Sequence, residues 1–211
     1  MSFLLPFRRA PMAAALTALA LTLPAGAPAQ AAAPLAPPYP PPYLLTDIGQ
    51  GNGAKVVRAL LKKQGIAPDM KEMATAADLK GAKTLLVGFG ASTKGLGAAG
   101  LDAEQEIKRA KELLDAARAA KVPVIAIHLG GTSRRGELSD RFNALVMDSA
   151  DHAVVWKEGD GDGFFTKKAA DRKITLKTVE QKNDAGEALK AILSQGTGAA
   201  GAADTATSAA K

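Results

Sequence analysis

The chain of 211 residues contains no cysteine and only two histidines. Without cysteine it has no disulfide, no thiolate metal ligand and no cysteine nucleophile. Two histidines are too few for a histidine-rich metal site. Aromatic residues make up 4% of the chain and hydrophobic residues 47%, so the core must consist mainly of Val, Leu, Ile and Ala. Such a core favours a parallel sheet covered by helices over a β-sandwich.

The chain also lacks a dense run of positive charge. Its formal net charge is +6, but two of these charges, Arg8 and Arg9, lie in a segment that we expect to be removed. The other basic residues are interspersed with acidic ones and form no contiguous stripe of the kind that nucleic-acid-binding proteins present. We therefore expect no nucleic-acid partner.

Residues 1–31 have the three-part pattern of a secretory signal peptide. Two arginines precede an apolar run over residues 12–23, which is too short to span a bilayer. Residues 29–31 read Ala-Gln-Ala, so we expect cleavage after Ala31, with cleavage after Ala29 as the competitor. The alternative is a buried alanine-rich helix. Cleavage predicts a periplasmic or extracellular protein, and without cysteine it has no lipid anchor after processing.

The rest of the chain divides into three parts. Residues 32–42 are rich in proline and predict an extended linker, which is either a plain spacer or a segment that another protein recognises. Residues 43–195 alternate strand-like and helix-like segments and predict a single α/β domain. Residues 196–211 are small and lack apolar periodicity, so we predict a disordered tail.

The predicted domain is a three-layer α/β sandwich similar to flavodoxin and Rossmann folds. Strands that alternate with helices imply right-handed crossovers, which give a mainly parallel sheet of about five strands with helices on both faces. The stretch 83–100, KTLLVGFGASTKGLGAAG, is central to this pattern. It combines an apolar strand with a glycine-rich turn, and a helix follows from Asp102, whose capping box includes Gln105. This arrangement places a small ligand at the edge of a parallel sheet.

Neither glycine-rich loop has the spacing of a standard nucleotide-binding motif. Residues 49–53 read Gly-Gln-Gly-Asn-Gly and miss the G-x-G-x-x-G spacing, and Gly95 in the second loop is followed by leucine instead of lysine. The loops either offer backbone N–H groups to an anion or allow helices to pack closely. The sequence leaves both interpretations open, and we predict no cofactor and no metal.

The loops that follow the predicted strands should meet at one edge of the sheet. Hydroxyl groups beside an ammonium group hold carboxylate or phosphate, and a guanidinium group matches both in a bidentate manner. A histidine at the end of a buried strand is a candidate base or hydrogen-bond donor. A structural or merely solvated role is the alternative for each residue. The predicted ligand-binding residues are Asp47, Gly51, Gly90, Ser92, Thr93, Lys94, His128, Arg134 and Arg135.

The acidic loop EGDGDG at residues 158–163 is similar to a calcium-binding loop. It lacks the downstream glutamate that would bind calcium with both oxygens. We interpret it as a turn in which Asp162 lies near the start of a helix, with calcium binding as the minor alternative.

Several segments together resemble a family of exported bacterial α/β proteins built on a domain of unknown function. The segments are LLTDIGQGNGAKVVRALL, LLVGFGASTKGLGAAGLD, VPVIAIHLGG, SRRGELSDRF and KEGDGDGFFTK, within residues 43–194. This resemblance implies a sheet with helices on both faces and an exported protein, and it brings no known activity. The pattern around Leu85 and Val124 is also similar to isochorismatase-like hydrolases, but those enzymes use a cysteine nucleophile, which this chain lacks.

The leading hypothesis is a periplasmic binding or accessory protein for a small anionic solute. A second hypothesis is a hydrolase or transferase that uses His128 or Lys94 with an acidic partner such as Asp47. A third is a protein-interaction module that uses the proline-rich segment.

Overall fold

A computed structural model describes residues 33–195. The predicted signal peptide (1–31), the first residue of the predicted linker and the predicted tail (196–211) lie outside the described residues. Strands and helices alternate along the described chain, as predicted. The strands are β1 (Tyr43–Ile48), β2 (Asp69–Met70), β3 (Thr84–Phe89), β4 (Val124–His128), β5 (His152–Trp156) and β6 (Thr175–Val179). The α-helices are α1 (Gly53–Lys63), α2 (Thr93–Ala98), α3 (Ala103–Ala119), α4 (Glu137–Ser149), α5 (Phe164–Arg172) and α6 (Ala185–Ser194).

The strands form one parallel sheet in the order β2-β1-β3-β4-β5-β6. The predicted α/β class is therefore confirmed. Within residues 33–195 the sheet has six strands where the sequence predicted about five, because the two-residue strand β2 adds an edge next to β1. Such a short strand carries too few residues for an alternating pattern to be visible.

Helices cover both faces of the sheet and create two hydrophobic clusters. Leu85 and Val87 of β3 face the cluster under α3, α4 and α5, whereas Leu86 faces the cluster under α1 and α6. Every residue of β3 is buried. A strand covered on both faces needs apolar residues at successive positions, which explains its continuous apolar run.

The glycine-rich stretch after β3 contains a helix that the sequence analysis treated as part of a turn. Ser92 begins α2 by accepting a hydrogen bond from the Gly95 backbone N–H at 3.1 Å. Asp102 then begins α3 through the predicted capping box with Gln105, which is confirmed. The predicted turn therefore contains the short helix α2 and leads directly into α3.

The proline-rich segment packs against the N-terminal ends of the strands. Tyr39 is 1% exposed and contacts the His152 ring at 6.0 Å between ring centres. The Leu35 N–H donates to Asp151 Oδ1 at 2.6 Å. A plain spacer would not bury its tyrosine, and the buried Tyr39 ring is not available to a partner protein. Among the helices described, none is both long and apolar enough to cross a membrane.

Candidate functional site

A cleft of about 850 Å³ opens at the C-terminal ends of β1 and β3. The chain leaves β1 toward β2 on one side and leaves β3 toward β4 on the other. Ligands of open α/β sheets bind at such a change of direction. The cleft occupies one part of the edge at which the predicted loops end. The residues that line the cleft are Gln50, Asn52, Lys55, Met70, Glu72, Met73, Ser92, Lys94, Gly95, Ala98, Ala99 and Arg134.

The loop between β1 and α1 forms the centre of the cleft and has an unusual backbone. Gln50 has a φ angle of 55° and Asn52 one of 64°, in the left-handed region that residues other than glycine rarely adopt. Such conformations cost on the order of 1 kcal/mol each and persist only where the surroundings hold them in place. Two buried carboxylates provide that hold.

Asp47 is the first of the two carboxylates. It is 2% exposed, and its oxygens accept hydrogen bonds from the N–H groups of Gly51 and Ala54, both at 3.0 Å. Burial raises the pKa of Asp47 to about 6, although these two hydrogen bonds act in the opposite direction. Asp47 therefore fixes the loop between β1 and α1 through its backbone N–H groups. It does not line the cleft.

Glu106 of α3 is the second carboxylate, and the sequence analysis missed it. It is completely buried, and its Oε1 accepts from the Gly49 N–H at 2.9 Å and from Gln50 Nε2 at 3.0 Å. Arg109 pairs with it at 2.6 Å and also donates to the Asp47 carbonyl oxygen at 2.8 Å. One signal was present in the sequence. Glu106 lies four residues before the buried Ala110, on the side of α3 that faces the sheet.

The glycines of the two loops allow their backbones to touch. A Cβ atom on Gly51 would lie 2.2 Å from the Gly90 carbonyl oxygen, and one on Gly95 would lie 2.0 Å from that of Gln50. The N–H group of Gly51 is occupied by Asp47, and that of Gly90 donates to Ile48 at 3.0 Å. Of the two interpretations that the sequence left open, close packing therefore accounts for Gly51 and Gly90.

Arg134 lies in a channel made by glycines from three loops. A Cβ atom on Gly130 would lie 2.2 Å from Arg134 Cγ, and one on Gly90 would lie 2.8 Å from Arg134 Cβ. A Cβ atom on Gly51 would lie 3.1 Å from Arg134 Nε. The aliphatic stem is thus held by backbone while the residue lines the cleft. Its only side-chain hydrogen bond within the described chain is from Nη1 to the Ser133 carbonyl oxygen at 3.1 Å.

Three further predicted residues belong to α2 and its cap. Ser92 and Lys94 both line the cleft, and Lys94 is exposed. The Ser92 hydroxyl is already occupied as the helix cap. Thr93 is exposed but is not among the residues that line the cleft. The structure thus brings Ser92, Lys94 and Arg134 together.

Arg135 belongs to a separate group, the Arg135 cluster, which joins the loops after β4 and β5. Its guanidinium group pairs with Asp140 at 2.7 Å and with Asp162 at 2.8 Å. It also lies 4.7 Å from the centre of the Phe164 ring and 5.3 Å from that of Phe165. The Asp162 hydrogen bond raises the pKa of Arg135, and the same bond lowers the pKa of Asp162. The charge of Arg135 is satisfied within the protein.

His128 is buried next to the Arg135 cluster and does not line the cleft. Its ring lies 4.6 Å from that of Phe165 and 5.3 Å from that of Phe89. Burial lowers the pKa of His128 to about 4, so the ring is neutral at pH 7. Nε2 lies 3.2 Å from the Arg134 carbonyl oxygen, and because a carbonyl group can only accept, Nε2 carries the proton.

The same Arg134 carbonyl oxygen accepts a second bond, from Asn143 Nδ2 at 3.1 Å. His128 and Asn143 therefore fix the backbone of Arg134 through its carbonyl oxygen, while the glycine channel fixes the aliphatic stem of its side chain. His128 acts on the cleft only through the position of Arg134.

The acidic loop folds as the predicted turn. Asp160 Oδ1 accepts from the Phe165 N–H at 2.7 Å, and Asp162 Oδ1 accepts from the Phe164 N–H at 3.2 Å. These bonds satisfy the first turn of α5. Residues 33–195 contain no group of three or more histidine, aspartate or glutamate side chains placed to hold a metal ion.

Several solved structures share the α/β layout at low identity. Hydroxyethylthiazole kinase from Pyrococcus horikoshii OT3 has 12% identity and a TM-score of 0.43, covering 63% of this chain and 54% of that chain. A GDSL-like lipase from Bacteroides thetaiotaomicron VPI-5482 has 10% identity and a TM-score of 0.31, covering 67% and 72%. AlinE4, an SGNH-hydrolase family esterase, has 14% identity and a TM-score of 0.27, covering 64% and 74%.

This chain therefore spans about half the length of the kinase, 54%. Similarity at this level does not indicate a shared function. No curated protein sequence matches the chain. The family model for a domain of unknown function, DUF6305, matches residues 40–193, and the chain belongs to that family.

Proposed function

We propose that this protein is an exported binding protein for a small anionic molecule, which Arg134 and Lys94 hold in the cleft between β1 and β3. The observation that carries the proposal is the state of Arg134. Its stem is fixed between glycines and its carbonyl oxygen accepts hydrogen bonds from two buried side chains, yet its guanidinium group pairs with no carboxylate among the described residues. A pre-positioned guanidinium group is suited to bind carboxylate or phosphate in a bidentate manner.

The charge of the cleft supports an anionic ligand. Three cationic side chains and one carboxylate, Glu72, line it, which gives a net charge of +2. Lys55 pairs with Glu72 at 3.1 Å. Lys94 and Arg134 therefore carry the excess charge, and within residues 33–195 neither forms an ion pair. A concave surface with one sign of charge attracts ions of the opposite sign.

The strained loop at the centre of the cleft supports a binding role as well. Left-handed backbone at Gln50 and Asn52 is maintained by two buried carboxylates and the largely buried Arg109. Strain of this kind accumulates at ligand sites, where a fixed loop lowers the entropic cost of binding.

The hydrolase or transferase hypothesis has less support. Asp47 directs its oxygens at two backbone N–H groups, and His128 is buried with its proton directed at a carbonyl oxygen. Neither Asp47 nor His128 lines the cleft, so neither can act as an acid or base next to Lys94. Proton transfer to a bound molecule requires such a group within hydrogen-bond reach.

Export is the second part of the proposal and rests on the sequence pattern of residues 1–31. Intact-mass measurement on protein from a periplasmic fraction should give a chain that begins near Ala32. A periplasmic protein that retains Met1 would contradict this part without affecting the binding site.

The binding proposal is tested by anion-dependent thermal stabilisation at low salt. We expect a hit from a panel of phosphates, di- and tricarboxylates and sulfonates, with a gain of about 2.7 kcal/mol at a hundredfold excess over the dissociation constant. Arg134→Met keeps the stem in its glycine channel and removes the charge, and Lys94→Gln removes the second charge. Either variant should weaken the stabilisation, and together they should abolish it.

Lys190→Gln is the matched control, since Lys190 is an exposed cation of α6 outside the cleft. It should respond to anions as the wild type does. Equal responses from the wild type and the double variant, or no response to any anion on the panel, would contradict the proposal.

A further inference from the structure

The cleft has two sides of different chemistry. The sheet order places β2 on one side of β1, and β3 and β4 on the other. Met70 belongs to β2 and Met73 follows it closely, whereas Lys94 and Arg134 come from the segments after β3 and β4. A side that carries two thioethers therefore lies across the β1 loop from a side that carries two cations.

Met73 is exposed in a way that is uncommon in this chain. It is 46% exposed, and the described residues contain one other exposed large hydrophobic side chain, Val56. A single exposed apolar residue needs no explanation on its own. Met73, however, lines a concave surface together with Met70. Methionine is flexible and polarisable, and it adapts to ligands of different shape.

The acidic residue on the methionine side does not make that side anionic. Glu72 is the one carboxylate among the residues that line the cleft, and Lys55 neutralises it at 3.1 Å. Lys71, the neighbour of both Met70 and Glu72, pairs with Asp78 and is not part of the lining. The methionine side thus presents thioethers and a neutral ion pair, and the excess positive charge is confined to the opposite side.

The size of the cleft also exceeds the needs of an inorganic anion. Its volume of about 850 Å³ lies within the range of about 300–1,000 Å³ that is typical of sites for organic ligands. A phosphate or sulfate ion held by Arg134 and Lys94 would leave the methionine side in contact with water. An apolar group attached to the anion would cover it.

We infer that the ligand is an amphipathic anion, a phosphate or carboxylate group attached to a hydrophobic body that packs on Met70 and Met73. The inference rests on the proposed function and adds the chemistry of the uncharged part of the ligand. The anionic group pairs with Arg134 and Lys94, and the body crosses the β1 loop to reach the thioethers.

The test uses three phosphate monoesters that carry the same charged group, namely methyl, phenyl and 1-naphthyl phosphate. Affinity is measured by calorimetric titration at low salt on the processed chain. Each ring that contacts the methionines should tighten binding, roughly tenfold for 50–60 Å² of apolar area removed from water. Acetate, phenylacetate and 1-naphthylacetate form the second series, which shows whether the site prefers a phosphate or a carboxylate group.

Variants separate the apolar contact from the charge. Met73→Gln should reduce the ratio of naphthyl to methyl affinity several-fold and leave the affinity for the methyl compound unchanged. Val56→Gln is the matched control, because Val56 is the other exposed hydrophobic residue and does not line the cleft. It should leave the whole series unchanged. Arg134→Met should weaken all members of the series by a similar factor.

The outcomes distinguish this inference from the function on which it rests. Equal binding of the methyl and naphthyl compounds in both series, with loss of both in Arg134→Met, would overturn the inference and leave an anion site in place. A gradient that persists in Met73→Gln and in Met70→Gln would also overturn it. If no member of either series binds, the proposed function and the inference fail together.

Discussion

Two neighbouring arginines show how the two halves of the sheet edge differ. Arg135, in the Arg135 cluster, contacts two aspartates, a carbonyl oxygen and two aromatic rings. Arg134, at the cleft, has its stem held between glycines, but within residues 33–195 its side chain donates only to the carbonyl oxygen of its neighbour Ser133. The guanidinium group of Arg135 is occupied by partners within the fold, whereas that of Arg134, apart from its bond to Ser133, is available for a ligand.

The buried titratable side chains near the two halves also differ. Beneath the cleft, Asp47 and Glu106 support a strained loop without filling the space above it. Next to the Arg135 cluster, His128 is enclosed by rings and by Gly159, on which a Cβ atom would lie 2.9 Å from the imidazole. The first half of the edge therefore carries an open cleft, whereas in the second half Gly159 packs directly on the His128 ring.

The largest expected effect is at the base of the cleft. Glu106→Gln removes the charge that Arg109 pairs with in a fully buried position. Loss of one partner of a buried ion pair costs about 3–5 kcal/mol, measured as the free energy of unfolding in urea. Glu104→Gln on the same helix is the control, since Glu104 is 72% exposed in its pair with Arg141. Equal effects of the two substitutions would show that the buried pair does not support the loop.

The next prediction concerns the dependence of stability on pH, in which Asp47 and Asp162 should act with opposite signs. Burial raises the pKa of Asp47 to about 6, so the folded state binds this proton more tightly than the unfolded chain does. The contribution of Asp47 to the free energy of unfolding should therefore fall as pH rises from about 4 to about 6, by on the order of 3 kcal/mol. Asp162 acts in the opposite direction, because its pKa is lowered and its stabilisation is lost as pH falls.

Urea unfolding of the wild type and of Asp47→Asn at pH 4 and pH 6.5 isolates this contribution. The substituted chain should lack the fall over this window, although it also loses one acceptor for the N–H groups of Gly51 and Ala54. Parallel pH profiles for the two proteins would mean that Asp47 titrates normally in the folded state.

A smaller effect is expected from the arginine pair itself. Arg135→Met should lower the free energy of unfolding by about 2 kcal/mol, because hydrogen bonds to charged groups contribute about 1.5–3 kcal/mol. The pair with Asp140 is mostly shielded from water and supplies most of this effect, whereas Asp162 is exposed and contributes less. Arg134→Met should change it by no more than about 0.5 kcal/mol. The comparison between the halves would break down if Arg134→Met proved the more destabilising of the two in the same urea experiment.

The smallest effect is expected at Thr93 of α2, which lies at the boundary of the cleft. Thr93 is exposed and does not line the cleft, although it lies between two residues that do. Thr93→Ala should leave the free energy of unfolding within about 0.5 kcal/mol of the wild type and leave anion-dependent stabilisation unchanged. A reduced thermal shift with anion in this variant would extend the site to the Thr93 hydroxyl group.

Sequence patterns predicted the parts of this molecule that depend on periodicity and caps. Apolar runs identified the central strands, and Asp102 with Gln105 identified the start of α3. Parallel strands all end at one edge, so the general position of the cleft followed from the fold class. Strand β2 and helix α2 are too short to have a visible period, and the sequence analysis did not predict either as a firm element.

The roles of single side chains depended on packing that the sequence does not display. Arg134 and Arg135 are identical in type and adjacent, and only the tertiary structure directs one to the cleft and the other to Asp140 and Asp162. Glu106 looks like a helix-start acid with a solvated side chain, yet it is completely buried. Sequence reasoning therefore located the edge of the sheet but did not separate ligand-facing residues from those that support them.

The central claim is that the anion binds at the cleft and not at the Arg135 cluster, and NMR mapping of backbone amides tests it most directly. Phenyl phosphate is titrated at low salt into ¹⁵N-labelled protein. We predict that shifts are concentrated at Asn52, Ser92 to Gly95 and Arg134, and that amides of the loop at residues 158–163 remain unperturbed. Shifts concentrated in residues 158–163, or spread evenly over exposed lysines and arginines, would contradict the account.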